Sequence, residues 1–406
     1  MKKFTFLKNN FIKVAMSPLV IIGYFISIKF PRNKKLWVYG RKMGYGDGSK
    51  AVFDGMKKYP EILSVWLTQS KLEAVELRER GINSFYKNSF KGFWYTLRAD
   101  VVIICFGFGD VNRFTAWGGR IVQLWHGTPI KKLNLDHEKA FYLYNGSISN
   151  LLKWAFKFSV KHYHTFVTPS KNVLDRYQSS FGISIDKIKS FGDPRCDQIL
   201  NITEEGKCER KKYLFEKYWK SSCDPKITKL ILYAPTWRDG EHDPIFDFSN
   251  IKLKKVLEQN NFMLILRSHP TGYGVEFNEK KLEYINFLPS KDFKDINEWL
   301  PVFDVLVSDY SGVIFDYSLL VRPIIFYAPD LDEYQQERGL YESYTDFTKH
   351  THCKNIEGLA NKIEEILTLK ERREENLQVV REIEEKYNEF NDGKNTKRLI
   401  AYLLGN

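Results

Sequence analysis

The feature that most restricts the fold of this 406-residue chain is a series of short runs of consecutive apolar residues. A strand buried on both faces has such a continuous run, whereas a strand with one solvated face alternates apolar and polar residues. The runs are 36–39, 64–67, 101–106, 121–124 and 165–168, then 230–233, 262–266, 305–308 and 324–327. Amphipathic stretches between them predict helices, for example over 51–58 and 71–80. We therefore expect an α/β protein with two doubly wound, Rossmann-like domains built on parallel sheets.

The two series of runs meet where the chain turns polar, at 203–207 and 221–225. A length of 406 residues also suits two domains better than one compact core. The predicted divisions are 36–205 for an N-terminal domain, 206–370 for a C-terminal domain and 371–406 for helices that pack back on the body.

Positive charge is concentrated at the N-terminus. The formal net charge is +12, yet ten of the 62 basic residues precede the first acidic residue, Asp47, so the rest of the chain is nearly neutral. This distribution argues against a nucleic-acid enzyme, in which a basic stripe usually crosses a folded domain. It favours an N-terminus attracted to an anionic membrane, where each Lys or Arg contributes about 1 kcal/mol.

Residues 14–28 carry no charge and form the apolar part of this basic terminus. They are fewer than the roughly 20 residues that a spanning helix needs, and Pro18 and Gly23 weaken a span further. No small-residue cleavage site follows, which disfavours a signal peptide. We expect residues 1–35 to be a membrane-associating segment that lies at the interface. A helix packed on its own domain and a true span are the alternatives.

The five cysteines do not form a recognisable framework. They are odd in number and widely spaced, without a C-x-x-C pair, which excludes a disulfide scaffold and a zinc site of the usual spacing. Free thiols indicate the reducing cytoplasm. Together with the basic terminus, they predict a peripheral protein on the cytoplasmic face of the cell membrane.

Polar residues follow four of the predicted strands, and ligands of parallel α/β sheets collect at those strand ends. His126 follows the fourth run and Arg238 follows the sixth, while Arg267 and His269 follow the seventh. After the eighth, residues 309–316 place small residues before an apolar helix, which predicts a cradle of N–H groups for an anion. For His126 taken alone, a buried histidine bonded to a carbonyl is the competing interpretation.

These strand ends suit an enzyme that binds a diphosphate and transfers a phosphoryl or glycosyl group. Arginines and N–H groups neutralise the phosphate charge, and a histidine with a pKa near neutrality accepts a proton. The sequence has no nucleophile elbow, H-E-x-x-H or P-loop motif. The glycines at 40, 44, 46 and 48 lack the spacing of the dinucleotide fingerprint, which disfavours a redox enzyme.

Six short motifs occur in one order along the chain. They are WHGTP at 125–129, GDPRCD at 192–197, APTWR at 234–238, RSHP at 267–270, SDYSG at 308–312 and PIIFYAPD at 323–330. In this set the chain resembles the CDP-glycerol glycerophosphotransferase family, the primases and polymerases of teichoic acids and related capsules. The resemblance implies the two-domain type B glycosyltransferase (GT-B) architecture, with two domains facing across a cleft. It also implies that the C-terminal domain holds the donor and that the enzyme associates with the membrane.

The resemblance also implies roles for individual residues. His126 and His269 correspond to two essential histidines, and our hypothesis is that His126 acts as general base on the acceptor hydroxyl. His269 with Arg267 then stabilises the phosphate at the reacting phosphorus. The other expected donor or phosphate contacts are Arg238, Ser308, Asp309, Ser311, Gly312 and Asp316. The expected acceptor-side residues are Gly127, Thr128 and Lys131.

The implied donor is CDP-glycerol or CDP-ribitol, and the implied acceptor is an undecaprenyl-linked saccharide or a growing polymer. No nucleic acid is expected. Metal dependence stays open: Asp309 and Asp316 are candidate ligands for Mg²⁺, although carboxylates after a strand more often bond ribose or cap helices. A GT-B glycosyltransferase that uses a nucleotide sugar is the alternative enzyme, because the same cations and N–H groups would hold its diphosphate. A membrane-docked scaffold without activity is the non-enzymatic alternative.

Overall fold

The structure of the chain is a computed structural model that describes residues 17–141, 146–219, 223–236, 250–267 and 284–405. Every predicted apolar run coincides with a strand, and three short strands at 84–86, 188–190 and 285–287 were not predicted. The strands of the first half are β1 Asn33–Gly40, β2 Leu63–Thr68, β3 Ser84–Tyr86, β4 Ala99–Ile104, β5 Arg120–Gln123, β6 Tyr163–Thr168 and β7 Ile188–Ser190. Those of the second half are β8 Lys229–Tyr233, β9 Phe262–Leu266, β10 Ile285–Phe287, β11 Val305–Ser308 and β12 Ile324–Phe326.

Helices connect these strands. In the described part of the chain they are α1 Ser17–Lys29, α2 Asp47–Gly55, α3 Lys71–Glu79, α4 Phe90–Arg98, α5 Gly146–Lys161, α6 Leu174–Phe181, α7 Asp197–Leu200, α8 Glu204–Tyr213, α9 Ile251–Gln259, α10 Val313–Ser318, α11 Leu331–Arg338, α12 Tyr344–Phe347, α13 Ile356–Thr368, α14 Lys370–Tyr387 and α15 Asn395–Leu404. A π-helical segment, Leu214–Trp219, continues α8.

The strands form two separate parallel sheets. The first has the order β3-β2-β1-β4-β5-β6-β7, and the second has the order β10-β9-β8-β11-β12. Each order runs outward in both directions from an inner strand, as in doubly wound folds. The prediction of two doubly wound α/β halves with parallel sheets is confirmed.

The continuous apolar runs are explained by burial on both faces of each sheet. Along β1, Leu36 and Val38 belong to one apolar cluster, whereas Trp37 and Tyr39 belong to another on the opposite face. The cluster with Leu36 continues through the second half of the chain to β8 and β9. The two sheets therefore pack through one shared apolar core, which fixes their strand ends relative to each other.

The last two helices cross between the halves. Helix α14 packs on the second half, where Val380 and Ile383 are buried in the shared cluster. Helix α15 returns to the first half, and its Leu399 and Leu403 pack in the cluster of Trp37. The crossover is close, because a β-carbon on Gly192 would collide with Asn395 Oδ1.

Helix α1 packs through one face on the loop between β4 and β5. Gly23 brings its backbone against Phe114, and the Ser27 hydroxyl donates to the Thr115 carbonyl oxygen at 2.6 Å. The packed helix that the sequence offered as an alternative is thus present. Within the described ranges, no helix has the length and hydropathy required to cross a membrane.

Candidate active site

His126 lies in the loop that follows β5, at the carboxyl end of the first sheet. The Leu124 N–H donates to the Ile104 carbonyl oxygen at 2.8 Å and extends the pairing of β5 with β4 beyond the strand. The chain then turns, with φ +59° at Trp125 and φ +148° at Gly127. A positive φ is rare for tryptophan, and such strain beside a polar side chain is typical of functional loops.

Three contacts hold the His126 ring. It stacks on Phe106 with ring centroids 4.1 Å apart and lies against Trp125 at 4.0 Å. Its Nδ1 is 3.3 Å from the carbonyl oxygen of Cys105. Because a carbonyl oxygen only accepts, Nδ1 carries the proton and Nε2 keeps its lone pair. The carbonyl contact expected of a structural histidine is present, and it orients Nε2 as the proton acceptor.

The surroundings keep His126 neutral. The side chain is half-buried, and burial lowers its pKa to about 4. Asp47 and the Cys105 carbonyl oppose this shift, while the charges of Arg195 and Arg41 reinforce it. At physiological pH the imidazole is therefore neutral, the form that a general base requires, but its pKa lies below the near-neutral value expected from the sequence.

The loop after β11 brings the second half of the chain against the His126 loop. A β-carbon placed on Gly312 would lie 3.2 Å from the Thr128 carbonyl oxygen and 3.8 Å from the Gly127 Cα. Helix α10 begins directly after Gly312. The structure thus brings together five of the predicted site residues: His126, Gly127, Thr128, Ser311 and Gly312.

Ser308 and Asp309, two other predicted site residues, form hydrogen bonds within the second half of the chain. The Ser308 hydroxyl donates to the Ala234 carbonyl oxygen at 2.7 Å, and Asp309 Oδ1 accepts from the N–H groups of Thr236 and Tyr310 at 2.8 and 2.6 Å. Both side chains are buried. They shape the loop that presents Ser311 and Gly312. Among the described residues, no group of three or more His, Cys, Asp and Glu side chains is arranged to hold a metal ion.

Asp316 lies in a buried ionic network that joins the two halves. Arg195 makes ion pairs with Asp193 at 3.1 Å and with Asp316 at 2.9 Å, and Asn297 donates to the other oxygen of Asp316 at 3.1 Å. Burial raises the pKa of Asp316, and it raises that of Asp193 to about 7 although Arg195 opposes the shift. The Arg195 guanidinium lies 3.6 Å from the position that a β-carbon on Gly127 would take. The ionic network therefore packs against the His126 loop.

A second contact between the halves involves the glycine-rich loop after β1. The Asp47 N–H donates to Asp295 Oδ2 at 2.8 Å, and Lys50 pairs with Glu298 at 2.9 Å. Burial, reinforced by the charge of Asp47, raises the pKa of Asp295. Burial also acts to raise the pKa of Asp47, but Arg41 and Arg195 outweigh it and the pKa is lowered. The glycine-rich loop is thus an interdomain contact.

A third contact passes beside Lys131. Lys131 forms a bridge with Leu340, and the Tyr341 N–H donates to the Ile130 carbonyl oxygen at 3.0 Å. Arg176 pairs with Glu342 at 2.8 Å on the same side. The backbone of Lys131 is therefore part of the seam between the halves.

Arg267 directly follows β9 and is anchored by the second half. Its backbone N–H donates to the Tyr233 carbonyl oxygen at 2.9 Å, and its Nη2 donates to the Phe293 carbonyl oxygen at 2.8 Å. The predicted residues His269 and Arg238 lie outside the described residues.

Sequence reasoning assigned no role to Arg41, Asp47, Asp193, Arg195 or Asp295. Asp193 and Arg195 could have been identified as candidates, because they belong to the GDPRCD motif that follows β7. Asp295 follows β10, a strand too short to be recognised, so no strand end directed attention to it.

The seam leaves room for a ligand beside Asp295. A cavity of about 650 Å³ opens there, lined from the first half by Tyr45, Lys50 and Arg80 and from the second half by Tyr213 and Trp299, among others. This volume lies in the range typical of ligand pockets. Its aromatic and charged lining suits a polar ligand with flat faces.

Comparisons with known proteins place this geometry in context. The profile of the family described as CDP-glycerol:poly(glycerophosphate) glycerophosphotransferase matches residues 22–405. The chain is 27% identical to a teichoic acid glycerol-phosphate transferase of Staphylococcus aureus, over 98% of this chain and 99% of that protein. It is 27% identical to a teichoic acid ribitol-phosphate polymerase, TarL, of the same organism, over 70% of this chain and 48% of that protein.

Among solved structures, the wall teichoic acid polymerase TagF has a similar fold. The TM-score is 0.76 at 20% identity, and the match covers 100% of this chain and 97% of that chain. One structure of that polymerase is of a histidine variant with CDPG. At this identity the likeness establishes the α/β fold with two parallel sheets.

Proposed function

Because the chain belongs to the CDP-glycerol:poly(glycerophosphate) glycerophosphotransferase family, we propose that it transfers glycerol phosphate or ribitol phosphate from a CDP-alditol to a hydroxyl group. The acceptor is an undecaprenyl-linked saccharide or a growing teichoic acid or capsule polymer, and CMP is released. The N-terminal domain, 36–205, presents the acceptor, and the C-terminal domain, 206–370, holds the donor.

The observation that carries this proposal is the approach of the His126 loop to Gly312. The two loops come from different sheets, yet a β-carbon on Gly312 would lie within 3.8 Å of Gly127 and Thr128. A donor diphosphate held at Ser311 and Gly312 would therefore have its reactive phosphorus beside His126. An in-line displacement depends on such proximity of the base to the reactive phosphorus.

The proposed step is a single displacement. The Nε2 atom of His126 accepts the proton of the acceptor hydroxyl as its oxygen attacks the alditol-side phosphorus. The bond between that phosphorus and the bridging oxygen breaks, and CMP leaves with the electron pair. Arg267 neutralises charge on the phosphates, since a guanidinium binds phosphate oxygens by charge-assisted hydrogen bonds. We assign stabilisation of the departing CMP to His269 and a further phosphate contact to Arg238.

Product analysis with three donor classes tests the proposed activity. The protein is incubated with CDP-glycerol, CDP-ribitol or a UDP-sugar and with a lipid-linked disaccharide, and products are analysed by mass spectrometry. The expected result is CMP together with an acceptor heavier by one or more alditol phosphate units. Release of UDP with a glycosylated acceptor would contradict the proposal and identify a nucleotide-sugar glycosyltransferase.

We also propose that the first helix and helix α5 dock the enzyme on an anionic membrane at the cytoplasmic face. The outward side of α1 exposes six large apolar side chains: Leu19, Ile21, Ile22, Phe25, Ile26 and Ile28. The ring centroids of Phe158 in α5 and Tyr24 in α1 lie 5.4 Å apart, and Phe158 also stacks with the exposed Trp154. These contacts join the two helices in one apolar surface. Exposed lysines flank this surface at 29, 34, 35, 157 and 161. Such a pairing of apolar face and cationic rim supports interfacial binding.

Vesicle sedimentation tests the docking surface. The wild-type protein is expected to bind vesicles that contain phosphatidylglycerol more tightly than neutral phosphatidylcholine vesicles. The double substitution I22E and F25E should weaken binding to the anionic vesicles at least about tenfold. The matched control is Leu72→Glu, since Leu72 is equally apolar and 68% exposed on α3. Equal binding of the double variant and the wild type would contradict membrane docking through this surface.

A further inference from the structure

Arg41 is a buried cation without its complement of hydrogen bonds. The residue is 7% exposed, and among the described residues its Nε and Nη1 atoms have no hydrogen-bond acceptor. Asp47 Oδ2 lies 3.3 Å from Nε and supplies charge, but the contact lacks hydrogen-bond geometry. A buried donor left without an acceptor is costly, and more so when the group is charged. The unmet donors therefore point to a partner that the described residues do not provide.

Other buried arginines at the same seam are better satisfied. Arg195 Nη2 donates to Asp316 at 2.9 Å, and only its Nε, 3.1 Å from Asp193, lacks hydrogen-bond geometry. Arg176 donates to the Pro129 carbonyl oxygen at 2.7 Å and pairs with Glu342 at 2.8 Å. Arg267 resembles Arg41 in that its Nη1 is buried without an acceptor among the described residues. The unmet donors are thus present on both sides of the seam.

Arg41 and Arg267 flank the same short segment of the second half. Arg267 donates to the Phe293 carbonyl oxygen from one side. On the other side, Arg41 Nη1 and Asp295 Oδ2 both lie within 3.4 Å of the position that a β-carbon on Gly46 would take. Burial lowers the pKa of Arg267 to about 10, and the charge of Arg41 adds to this shift, as expected of two nearby cations.

The neighbouring carboxylates do not use up these donors. Asp295 accepts from the N–H groups of Asp47 and Asn297 at 2.8 and 3.1 Å and from Gln198 Nε2 at 3.2 Å. Asp47 Oδ1 accepts from the N–H of Gly48 at 2.7 Å. Asp295 is thus largely occupied by neutral donors, and Asp47 Oδ2 offers Arg41 charge without hydrogen-bond geometry. Nε and Nη1 of Arg41 and Nη1 of Arg267 therefore remain for an anion.

We propose that Arg41 and Arg267 form a phosphate clamp across the domain interface, in which each guanidinium binds oxygens of one phosphate group of the ligand. Guanidinium groups match phosphate oxygens in pairs, so the clamp would satisfy both sets of unmet donors. The identity of the phosphate rests on the proposed function: it belongs either to the diphosphate of the CDP-alditol or to the diphosphate of the lipid-linked acceptor. In both cases ligand binding would hold the two domains together.

Calorimetry on the full chain tests the clamp with inorganic pyrophosphate and with CDP-glycerol as probes. Arg41→Ala removes the guanidinium group. Lys42→Ala is the matched control because Lys42 is an exposed cation in the same loop. We expect Arg41→Ala to raise the Kd for pyrophosphate at least about tenfold and Lys42→Ala to change it less than twofold. Equal effects of the two substitutions would overturn the proposal, since they would show attraction by net charge alone.

Two further comparisons complete the test. A tenfold rise in the Kd for CDP-glycerol assigns the clamped phosphate to the donor, whereas an unchanged Kd with a tenfold rise in the acceptor KM assigns it to the acceptor. If Arg41→Ala does not fold, Arg41→Lys keeps the charge beside Asp47 and removes the fork. An unchanged pyrophosphate affinity in Arg41→Lys then overturns the clamp. A wild type that binds pyrophosphate but releases no CMP would refute the proposed function and leave the clamp standing.

Discussion

Replacing Arg195 with methionine should destabilise the protein strongly, because it leaves Asp193 and Asp316 buried without their cation. Both carboxylates pair with this guanidinium, and all three residues are less than 9% exposed, so little water is available to compensate. Removal of one partner from a buried ion pair costs about 3–5 kcal/mol of unfolding free energy. We expect a loss of that size for Arg195→Met at pH 8.

The loss should shrink as the pH falls. Burial already raises the pKa of Asp193 to about 7 with Arg195 present, and without the cation the pKa values of both carboxylates rise further. A carboxyl whose pKa is higher in the folded than in the unfolded state stabilises the fold at low pH, and this stabilisation is lost as the pH rises through the folded-state pKa. The variant should therefore approach the wild type at pH 5.5.

Urea denaturation at pH 8 and pH 5.5 measures both effects. The control is Arg372→Ala, whose guanidinium pairs with Glu375 at 2.8 Å on an exposed face of α14 and should cost less than about 0.5 kcal/mol. An Arg195→Met protein within about 1 kcal/mol of the wild type at pH 8 would refute the view that this network joins the two halves. A loss that does not change with pH would refute the assignment of the cost to unpaired carboxylates.

Two further predictions concern the histidine and the domain crossover. Since burial lowers the pKa of His126 to about 4 in the ligand-free protein, the pH profile of kcat/KM should stay flat from pH 7 to pH 5 and fall only near pH 4. An acid limb of kcat/KM centred near 6.5 would contradict the neutral base. Gly192→Ala combines φ +77° with a collision against Asn395, and should cost about 2 kcal/mol or more of unfolding free energy. At Gly81, φ is +76° and an added β-carbon would meet no atom within 4 Å. Gly81→Ala therefore measures the cost of backbone strain without a collision. Equal losses in the two glycine variants, measured by urea denaturation, would contradict the tight crossover.

The predicted strands were those whose burial on both faces leaves a continuous apolar run. Strand β9 coincides with the predicted run at 262–266, and β11 with that at 305–308. Strands β3, β7 and β10 were missed because only the first of their three residues is buried, so none has an apolar run. Strand β12 is equally short and also lies at an edge, but it is buried throughout and was predicted. At an edge, pairing with one neighbour is enough to order a short segment, and no apolar run is required.

In the candidate site, too, some residues could be predicted from the sequence and others could not. Strand ends directed attention to His126 and Gly312, because strand ends of parallel sheets gather ligands, and the structure places their two loops against each other. The partners of the buried charges were not predictable, since pairing Arg195 with Asp316 requires knowledge of how two sheets pack. Arg41 lay in a loop whose glycine spacing suggested only a weak cofactor motif. No sequence pattern indicated that Arg41 lies near Asp295 of the second half, beside Gly46.

In the proposed reaction, the neutral Nε2 of His126 removes the acceptor proton beside the donor phosphorus. Single-turnover measurement of CMP release, combined with the Kd for CDP-glycerol, tests it on the His126→Ala variant. The account predicts a rate at least about 100-fold lower than that of the wild type, with the Kd within about threefold. A variant that keeps the wild-type rate at saturating donor and acceptor would contradict it.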